Sequence, residues 1–530
     1  MSDFQTIFLP FLILFGTIII CIVLEALDLD YRIFAPVTII GGLFSLYSVI
    51  LGIDSGITYV FGNSTDLFGL SGITGLFVID NFSRFFAIIF LIVLLFVSTS
   101  SIDYMNSERN VGIYYILLVF ATIGMLLVAA ANDLIALFVA WELGSLPVYA
   151  LAAFQKTRPE TSESALKLFL IGAMSSAFIL FGISLVYGIT CSMVPTLSPP
   201  YNEYSPTNLR VVVLAFSNVN SYTPLHLLAL IFLVVGFGYK MAAVPFHAWA
   251  VDVYQGTPTT ITTFLAAGSK ALGFVAVFRI IVAGLTEIDT IWGYLFAFLA
   301  ILTMTLGNVV ALVQENIKRM LAYSSIAHAG YILIALAAVT SSPISSVIGN
   351  LDFSVAEFSI AAAEMHILTH ALMKIVAFTA VIVIAFSIHS EKIEDYAGLR
   401  KKHPWVTFGL TIALLSLLGI PPLGGFVSKV LLFFAAIYAN LIWLAIIGII
   451  NSAISIFYYI RVIKLMIVDT PIEDRDDVTV IPVERVTPFS IPLSYQLSIF
   501  ISVLLIIVIG ILPAPFLELA LSAARNILPP

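Results

Sequence analysis

Apolar runs of about twenty residues, the length of a helix that crosses a bilayer, recur fourteen times along this chain, the first centred near Leu14 and the last near Leu504. In hydrocarbon every backbone N–H and C=O must be paired within the protein, so such runs fold as helices or as a closed barrel. A barrel would alternate apolar and polar residues in segments of about ten. These runs are continuous, so helices are expected. Composition agrees: of 530 residues 61% are hydrophobic and 10% charged, where soluble domains carry about 25% charged residues. The run from Ile7 to Leu24 lacks a basic flank and a small-residue cleavage site, so it reads as the first membrane helix rather than a signal peptide.

Five lysines stand inside such runs: Lys167, Lys240, Lys270, Lys374 and Lys429. A charge at the bilayer centre costs about 3 kcal/mol on insertion scales. Lysines repeated at that cost read as stations on a polar path through the membrane, and proton transfer is the chemistry they suit.

Orientation follows from the basic residues, which favour cytoplasmic loops. With the N-terminus outside, fourteen of the 23 Lys and Arg residues fall in inside loops, Arg475 and Arg485 among them, and only Arg84, Arg210, Arg279 and Arg525 fall outside. Both termini are expected outside, in the plasma membrane of a prokaryote. An organellar inner membrane or a thylakoid is the less favoured setting. The longer loops cover 53–81, 192–223, 389–404 and 469–493. A net charge of −8 argues against nucleic acid as a partner.

Two helices look broken. The seventh contains Gly238-Tyr239-Lys240 and then Pro245; the twelfth contains Gly419-Ile420-Pro421-Pro422-Leu423-Gly424-Gly425 and then Lys429. Proline removes a ladder hydrogen bond and clashes with the preceding turn. Interrupted helices in two halves of a chain point to an inverted repeat with the site between the halves. The expected fold is therefore an all-α integral membrane protein of about fourteen transmembrane helices. Helices 4–8 and 9–13 would form two inverted five-helix repeats. The units are 1–110 (helices 1–3), 111–285, 286–468, and 469–530 (a loop and helix fourteen). The breaks do not superpose in sequence: Lys240 precedes its proline and Lys429 follows its pair.

Glu142 lies mid-way along helix five with no partner nearby in sequence. A neutral buried acid is the plainer reading; a functional partner is favoured, and Lys240 is the one expected in space. Lost hydration disfavours the charge of such a lysine and a nearby carboxylate favours it, so movement of the carboxylate can move a proton. A static buried ion pair is the alternative. His247, beyond Pro245, can relay protons because neutral imidazole both donates and accepts. Lys270 is too central in helix eight to snorkel to an interface. Lys167, after Glu163, lies nearer the inner end of helix six, where snorkelling and tuning of the Glu142–Lys240 pair are both open. His366, His370 and Lys374 recur every four residues and so share one helical stripe. Without a HExxH pattern or a further ligand, that stripe reads as polar lining of the bundle interior rather than a zinc site. His328 sits among small residues of helix ten, as another titratable group or simply where helices pack closely.

The chain carries no GxGxxG and no Walker A sequence, and its two cysteines, Cys21 and Cys191, are too few for a cluster or a disulfide framework. Both read as small apolar fillers. No cofactor is expected in this chain, so its energy must come from a partner subunit or an ion gradient.

Five stretches carry a resemblance: 131–149 with Trp141-Glu142-Leu143-Gly144-Ser145, 164–177 around Lys167, 238–258 from Gly238 to Pro258, 314–330 from Gln314 to Gly330, and 420–429 from Ile420 to Lys429. They resemble the antiporter-like membrane subunits of respiratory complex I, strongly over about 110–465 and weakly at the ends. Within that family the chain is most similar to subunit N, also called chain 2. The stretch around Lys167 has its character, Lys429 stands where the M subunit carries glutamate, and no room follows for the lateral helix of subunit L. The His366–His370–Lys374 stripe departs towards an L-like pattern. The family extends to F(420)H(2) dehydrogenases, membrane hydrogenases and Mrp-type sodium/proton antiporters.

The resemblance implies roles. Glu142 and Lys240 would be the ion pair of the inner half-channel, with Lys167 modulating it. Lys270, with His247 nearby, would carry protons laterally. His328, His370 and Lys374 would continue a central axis, and Lys429 would be the terminal lysine of the second half-channel. The implied function is a proton-translocating membrane subunit of a complex I-like redox-driven pump. It would be a non-redox part of an NADH- or F(420)H(2):quinone-type oxidoreductase, not catalytic alone. Its partners would be other membrane subunits including antiporter-like paralogues, hydrophilic iron–sulfur subunits that admit electrons, and membrane lipid. An Mrp-type cation/proton antiporter subunit is the alternative. A structural subunit with vestigial charges is a third reading, against which the full set of glutamate and lysines speaks.

Overall fold

The computed structural model describes residues 2–53, 59–60, 75–106, 108–196, 205–217, 223–282, 291–341, 352–469 and 490–528. Arg475, Arg485 and most of the 469–493 loop lie outside the described residues.

Several helices begin where local chemistry closes the open end. α1 (Ser2–Ala26) and α2 (Phe34–Leu51) make a hairpin through a 3-10 turn capped by Asp30. α3 (Asn81–Tyr104) starts at a capping box, in which Asp80 and Ser83 each accept from the other's backbone N–H. α4 (Val111–Ala130) leads to α5 (Leu134–Ala152), whose N-cap Asp133 accepts from Ile135 and Ala136. α6 (Pro159–Met193), with proline in its first turn, is followed by the short α7 (Leu209–Ser217).

Helix seven is split into α8 (Pro224–Met241) and α9 (Ala248–Gly256). Helix eight comprises α10 (Thr259–Phe264) and α11 (Lys270–Val277), joined by a π-helical turn over Leu265–Ser269 and followed by another over Phe278–Val282. α12 (Ile291–Leu312), α13 (Ile317–Ser341) and the 34-residue α14 (Val355–Ile388) are continuous. After the short α15 (Leu399–Lys402), helix twelve is split into α16 (Pro404–Leu418) and α17 (Gly424–Tyr438). α18 (Ile442–Ile467), α19 (Leu493–Ile511) and α20 (Ala514–Ile527) complete the described chain.

Thirteen helices among the described residues are long and apolar enough to span a membrane, and the two shorter apolar halves α16 and α17 supply the fourteenth crossing. This is the expected all-α membrane architecture. Two further helices lie outside the expected crossings. α20 and α7 are short and amphipathic, with apolar residues such as Ala520, Ala523, Ala524 and Ile527 on one face only, so neither makes a membrane-length run. Outside the helices, Tyr59–Val60 pairs with Val78–Ile79 in a two-residue antiparallel ladder.

Connections alternate between two faces. At the first, Phe77 bridges Ala131, Asp133 bridges Asn208, and Arg525 of α20 donates to the Asp352 carbonyl. At the second, Asn316 bridges Lys392, Lys318 pairs with Glu391 at 2.5 Å, and Tyr31 donates to Asn106. Helix eight is enclosed by its neighbours throughout its apolar window. α14 packs against α10, α13, α16, α17, α19 and α20, which makes it the central post. α12 and α13 approach closely because both carry glycine at the crossing: a Cβ on Gly330 would lie 2.4 Å from Met304 N.

Arg84 and Arg279 are not loop charges. They are only 6% and 4% exposed, because each finds acceptors inside the bundle. Arg84 Nη1 donates to Asn81 Oδ1 at 2.9 Å, and Arg279 Nη2 pairs with Asp80 Oδ1 at 2.7 Å.

Candidate functional site

The two breaks are closed by side chains as much as by backbone. At the first, Val244 N donates to Thr303 Oγ1 of α12 at 3.0 Å, and Trp249 Nε1 donates to the Tyr239 carbonyl at 2.9 Å. At the second, Gly419 takes a left-handed φ of 91°, and a Cβ there would lie 3.1 Å from Lys429 Cδ. Lys429 Nζ in turn donates to the Leu418 carbonyl and to Ser452 Oγ, both at 3.0 Å. A carbonyl freed by the break is thus satisfied by the buried lysine, which also lies 4.9 Å over the Tyr331 ring.

Lys240 is held by one stripe of α5. Trp141, Ser145 and Tyr149 follow one another at four-residue spacing and so face the same way. Lys240 Nζ donates to Ser145 Oγ at 2.9 Å and sits 5.5 and 5.6 Å over the rings of Trp141 and Tyr149. Glu142, half-buried on the adjoining face, accepts from Ser176 Oγ of α6 and lies within electrostatic reach of Lys240. Each member of the expected pair therefore rests on a serine. Lys167 lies elsewhere: its side chain is 40% exposed and pairs with Glu163 at 2.7 Å and with Asp252 at 3.0 Å. The other Asp252 oxygen holds Arg319 at 2.9 Å, which ties α6, α9 and α13 together near the second face. His247 is half-buried beside the break, within reach of the Pro245 backbone.

The central lysines and histidines converge. Lys270 Nζ donates to the Ser325 carbonyl at 2.7 Å, and Ser325 Oγ lies 3.4 Å from His370 Nε2. The His370 and His328 rings are 5.2 Å apart. His328 Nδ1 meets His366 Nε2 at 3.0 Å, and His366 Nδ1 meets Ser428 Oγ at 3.0 Å, one residue before Lys429. Lys374 Nζ donates to the Leu321 carbonyl and Ser324 Oγ, both at 2.9 Å, and Ser324 continues to Tyr459 at 2.5 Å. Lys240, Lys270, Lys374 and Lys429 are at most 3% exposed. The hydrogen bonds and ring contacts of these four lysines are to hydroxyls, carbonyls and ring faces. Among the described residues no three His, Cys, Asp or Glu side chains converge as metal ligands do.

Several of these groups stand outside the set that the sequence implies. His366, which belongs to the stripe but not to the implied path, is the link between His328 and Ser428. Glu364, fully buried in α14, is an acid inside an apolar run and carries the same signal in sequence as the lysines. Ser145, Ser325 and Ser428 carry no signal in sequence, since serines are common in membrane helices and packing alone selects among them.

Fold and site together define a polytopic membrane protein with broken helices around a buried row of lysines and histidines. Residues 131–455 match the membrane region of the NADH:quinone oxidoreductase/Mrp antiporter family, and the chain belongs to that family. It is 41% identical over 460 residues to F(420)H(2) dehydrogenase subunit N of Methanosarcina mazei, covering 85% of each chain. It is 36% identical to NADH-quinone oxidoreductase subunit N of Dehalococcoides mccartyi, over 98% of this chain and 99% of that one. A chain of respiratory complex I from Thermus thermophilus superposes with a TM-score of 0.73 at 30% identity, covering 96% of this chain and 98% of that one. A chain of the Mrp complex from Dietzia shares the fold, with a TM-score of 0.81 at 19% identity, covering 98% and 97%.

Proposed function

We propose that this chain is the proton-translocating membrane subunit of a complex I-like redox-driven pump, working through buried Glu, Lys and His side chains without a redox centre or cofactor of its own. The observation that carries the reading is the row Lys270–Ser325–His370–His328–His366–Ser428–Lys429 inside the bundle. A lysine resting on neutral acceptors has no fixed counter-charge locking it in the ammonium form, and a carrier must both gain and lose its proton. Lys240 is the input: its charge is held by Ser145 and two ring faces while Glu142 stands on Ser176. Movement of Glu142 towards or away from Lys240 raises or lowers the stability of that charge. A proton released from Lys240 passes by way of His247 to Lys270, and from there along the histidines. Each imidazole takes a proton on one nitrogen and yields one from the other. Lys374 stands beside this row and Lys429 ends it. Lys167, paired with Asp252, modulates the input from the second face.

Residues 111–285 and 286–468 would be the two inverted halves, 1–110 the preceding helices and 469–530 the closing segment. The first face lies outside and the second, with the basic loops, in the cytoplasm of a prokaryote. Other membrane subunits, antiporter-like paralogues among them, pack beside the chain in lipid, and hydrophilic iron–sulfur subunits deliver the electrons. The similarity to the Methanosarcina and Dehalococcoides subunits supports this setting over a stand-alone antiporter. The test is Lys240→Ala and Glu142→Ala in the intact complex, with assembly checked on a native gel. Coupled turnover and proton translocation should fall together. Wild-type pumping by a fully assembled Glu142→Ala complex would overturn the reading.

A further inference from the structure

We propose that Glu364 is a proton-carrying residue on a second arm of the path, leading from the middle of the membrane to the first face through Asp80. The inference rests on the proton-translocating reading given above.

Glu364 is 0% exposed, and neither of its carboxyl oxygens has a hydrogen-bond partner in the protein. Such groups are rare in folded proteins and require an explanation. It lies nine residues beyond Val355, so about 14 Å along α14 from the end at the first face, at about 1.5 Å per residue. The charged groups within its electrostatic reach are Asp80 at the start of α3 and Arg279 at the end of helix eight. Arg279 is already committed: Nη2 pairs with Asp80 Oδ1 at 2.7 Å, Nε donates to the Ala129 carbonyl at 2.8 Å, and the guanidinium lies 4.7 Å over Phe82. One cation is therefore matched by one anion. Glu364 is left without a counter-charge, and a buried carboxyl in that position is stable as the neutral acid and costly as the anion. A neutral acid holds a proton it can give.

An acceptor stands ready, because Asp80 Oδ2 is also buried and unpaired. From Asp80 the polar groups continue outward. Asn81 N donates to Asn526 Oδ1 at 3.1 Å and Asn81 Nδ2 to Ser522 Oγ at 2.8 Å, both on the half-exposed side of α20. On the inner side lies the central row; its His366 is two residues further along α14 and so leaves the helix on nearly the opposite side from Glu364, and bridging water would have to join the two. In the step proposed, the Glu364 O–H proton moves to Asp80 Oδ2, and Glu364 is reprotonated from the histidine row. Arg279 keeps its charge throughout and holds Asp80 in place. No electron moves; the bonds exchanged are O–H at the two carboxyls and N–H at the imidazole that reprotonates Glu364.

The experiment uses the intact complex in proteoliposomes, with Glu364→Gln, Glu364→Asp and Lys240→Ala compared for protons translocated per electron. Infrared difference spectra during turnover are recorded in H2O and D2O. Glu364→Gln keeps the shape and cannot release a proton; its pumping should fall to the level of Lys240→Ala, and a deuterium-sensitive carboxylic acid C=O band should disappear. Glu364→Asp should retain that band class and part of the pumping. If Glu364→Gln pumps as wild type while Lys240→Ala does not, this inference fails and the main reading stands. If Lys240→Ala also pumps normally, the main reading fails. Equal loss in Glu364→Gln and Glu364→Asp with the band unchanged would make Glu364 a packing residue and overturn the proposal.

Discussion

His328 Nδ1 and His366 Nε2 lie 3.0 Å apart with their rings within 15° of parallel, so one hydrogen bond joins α13 to α14 at the centre of the bundle. Two neutral imidazoles can share it only if one donates and the other accepts. If His328 donates from Nδ1, then His366 carries its own proton on Nδ1 and donates to Ser428; if His366 donates from Nε2, its Nδ1 accepts instead. The tautomers are therefore linked, and a proton passing along the row reverses them together.

His366→Phe keeps a ring of similar size and removes both of these contacts. Ser428 keeps its bonds with Thr369 Oγ1 and the Gly425 carbonyl, but leaving His328 Nδ1 unpaired costs about 1–3 kcal/mol, which a melting experiment on the assembled complex would register as a modest fall in Tm. Pumping per electron should fall to the level of Lys240→Ala. Full pumping in an assembled His366→Phe complex would exclude it from the path.

Lys429 distinguishes a carrier from a fixed charge. A proton crossing about 100 mV does about 2.3 kcal/mol of work, so a terminal carrier must change its proton affinity during turnover. Arginine stays protonated. Lys429→Arg should assemble yet pump nearly as poorly as Lys429→Ala, measured as proton uptake per electron in proteoliposomes. Normal pumping by Lys429→Arg beside failure of Lys429→Ala would identify a structural charge.

Arg279→Met tests the buried pair with Asp80, whose side chains are 5% and 1% exposed. Removing one partner strands the other charge, at a cost of about 3–5 kcal/mol. The expected outcome is a large loss of assembled complex on a native gel and a clear drop in Tm. Unchanged assembly would show that Asp80 is satisfied in some other way.

Asp252→Asn is the counterpart at the second face. Its pairs with Lys167 and Arg319 join side chains 41%, 40% and 32% exposed, so each contributes only about 0–1 kcal/mol. Assembly and Tm should stay near wild type, while pumping changes if Lys167 modulates the Glu142–Lys240 input. A destabilisation as large as that of Arg279→Met would contradict this ranking.

The number of crossings, the two breaks and the burial of Lys240, Lys270, Lys374 and Lys429 are legible in the sequence, whereas Lys167, from the same kind of run, is 40% exposed. Those properties are one-dimensional: the length of an apolar run against the thickness of a bilayer, proline against a helical ladder, and a charge within an apolar run. Helical period also put His366, His370 and Lys374 on one stripe. It placed that stripe in the bundle interior but not against particular partners, because the rotation of each helix and the place where it crosses its neighbour are set by packing. Lys240 ends on Ser145, Lys167 on Asp252, and His366 between His328 and Ser428, and each of these partners lies far away in the chain. Serine hydroxyls and backbone carbonyls recur in nearly every membrane helix, so no pattern in sequence marks the few that matter. Close crossings such as that at Gly330 bring particular ones into reach, and buried polar groups must then take the acceptors that packing places beside them.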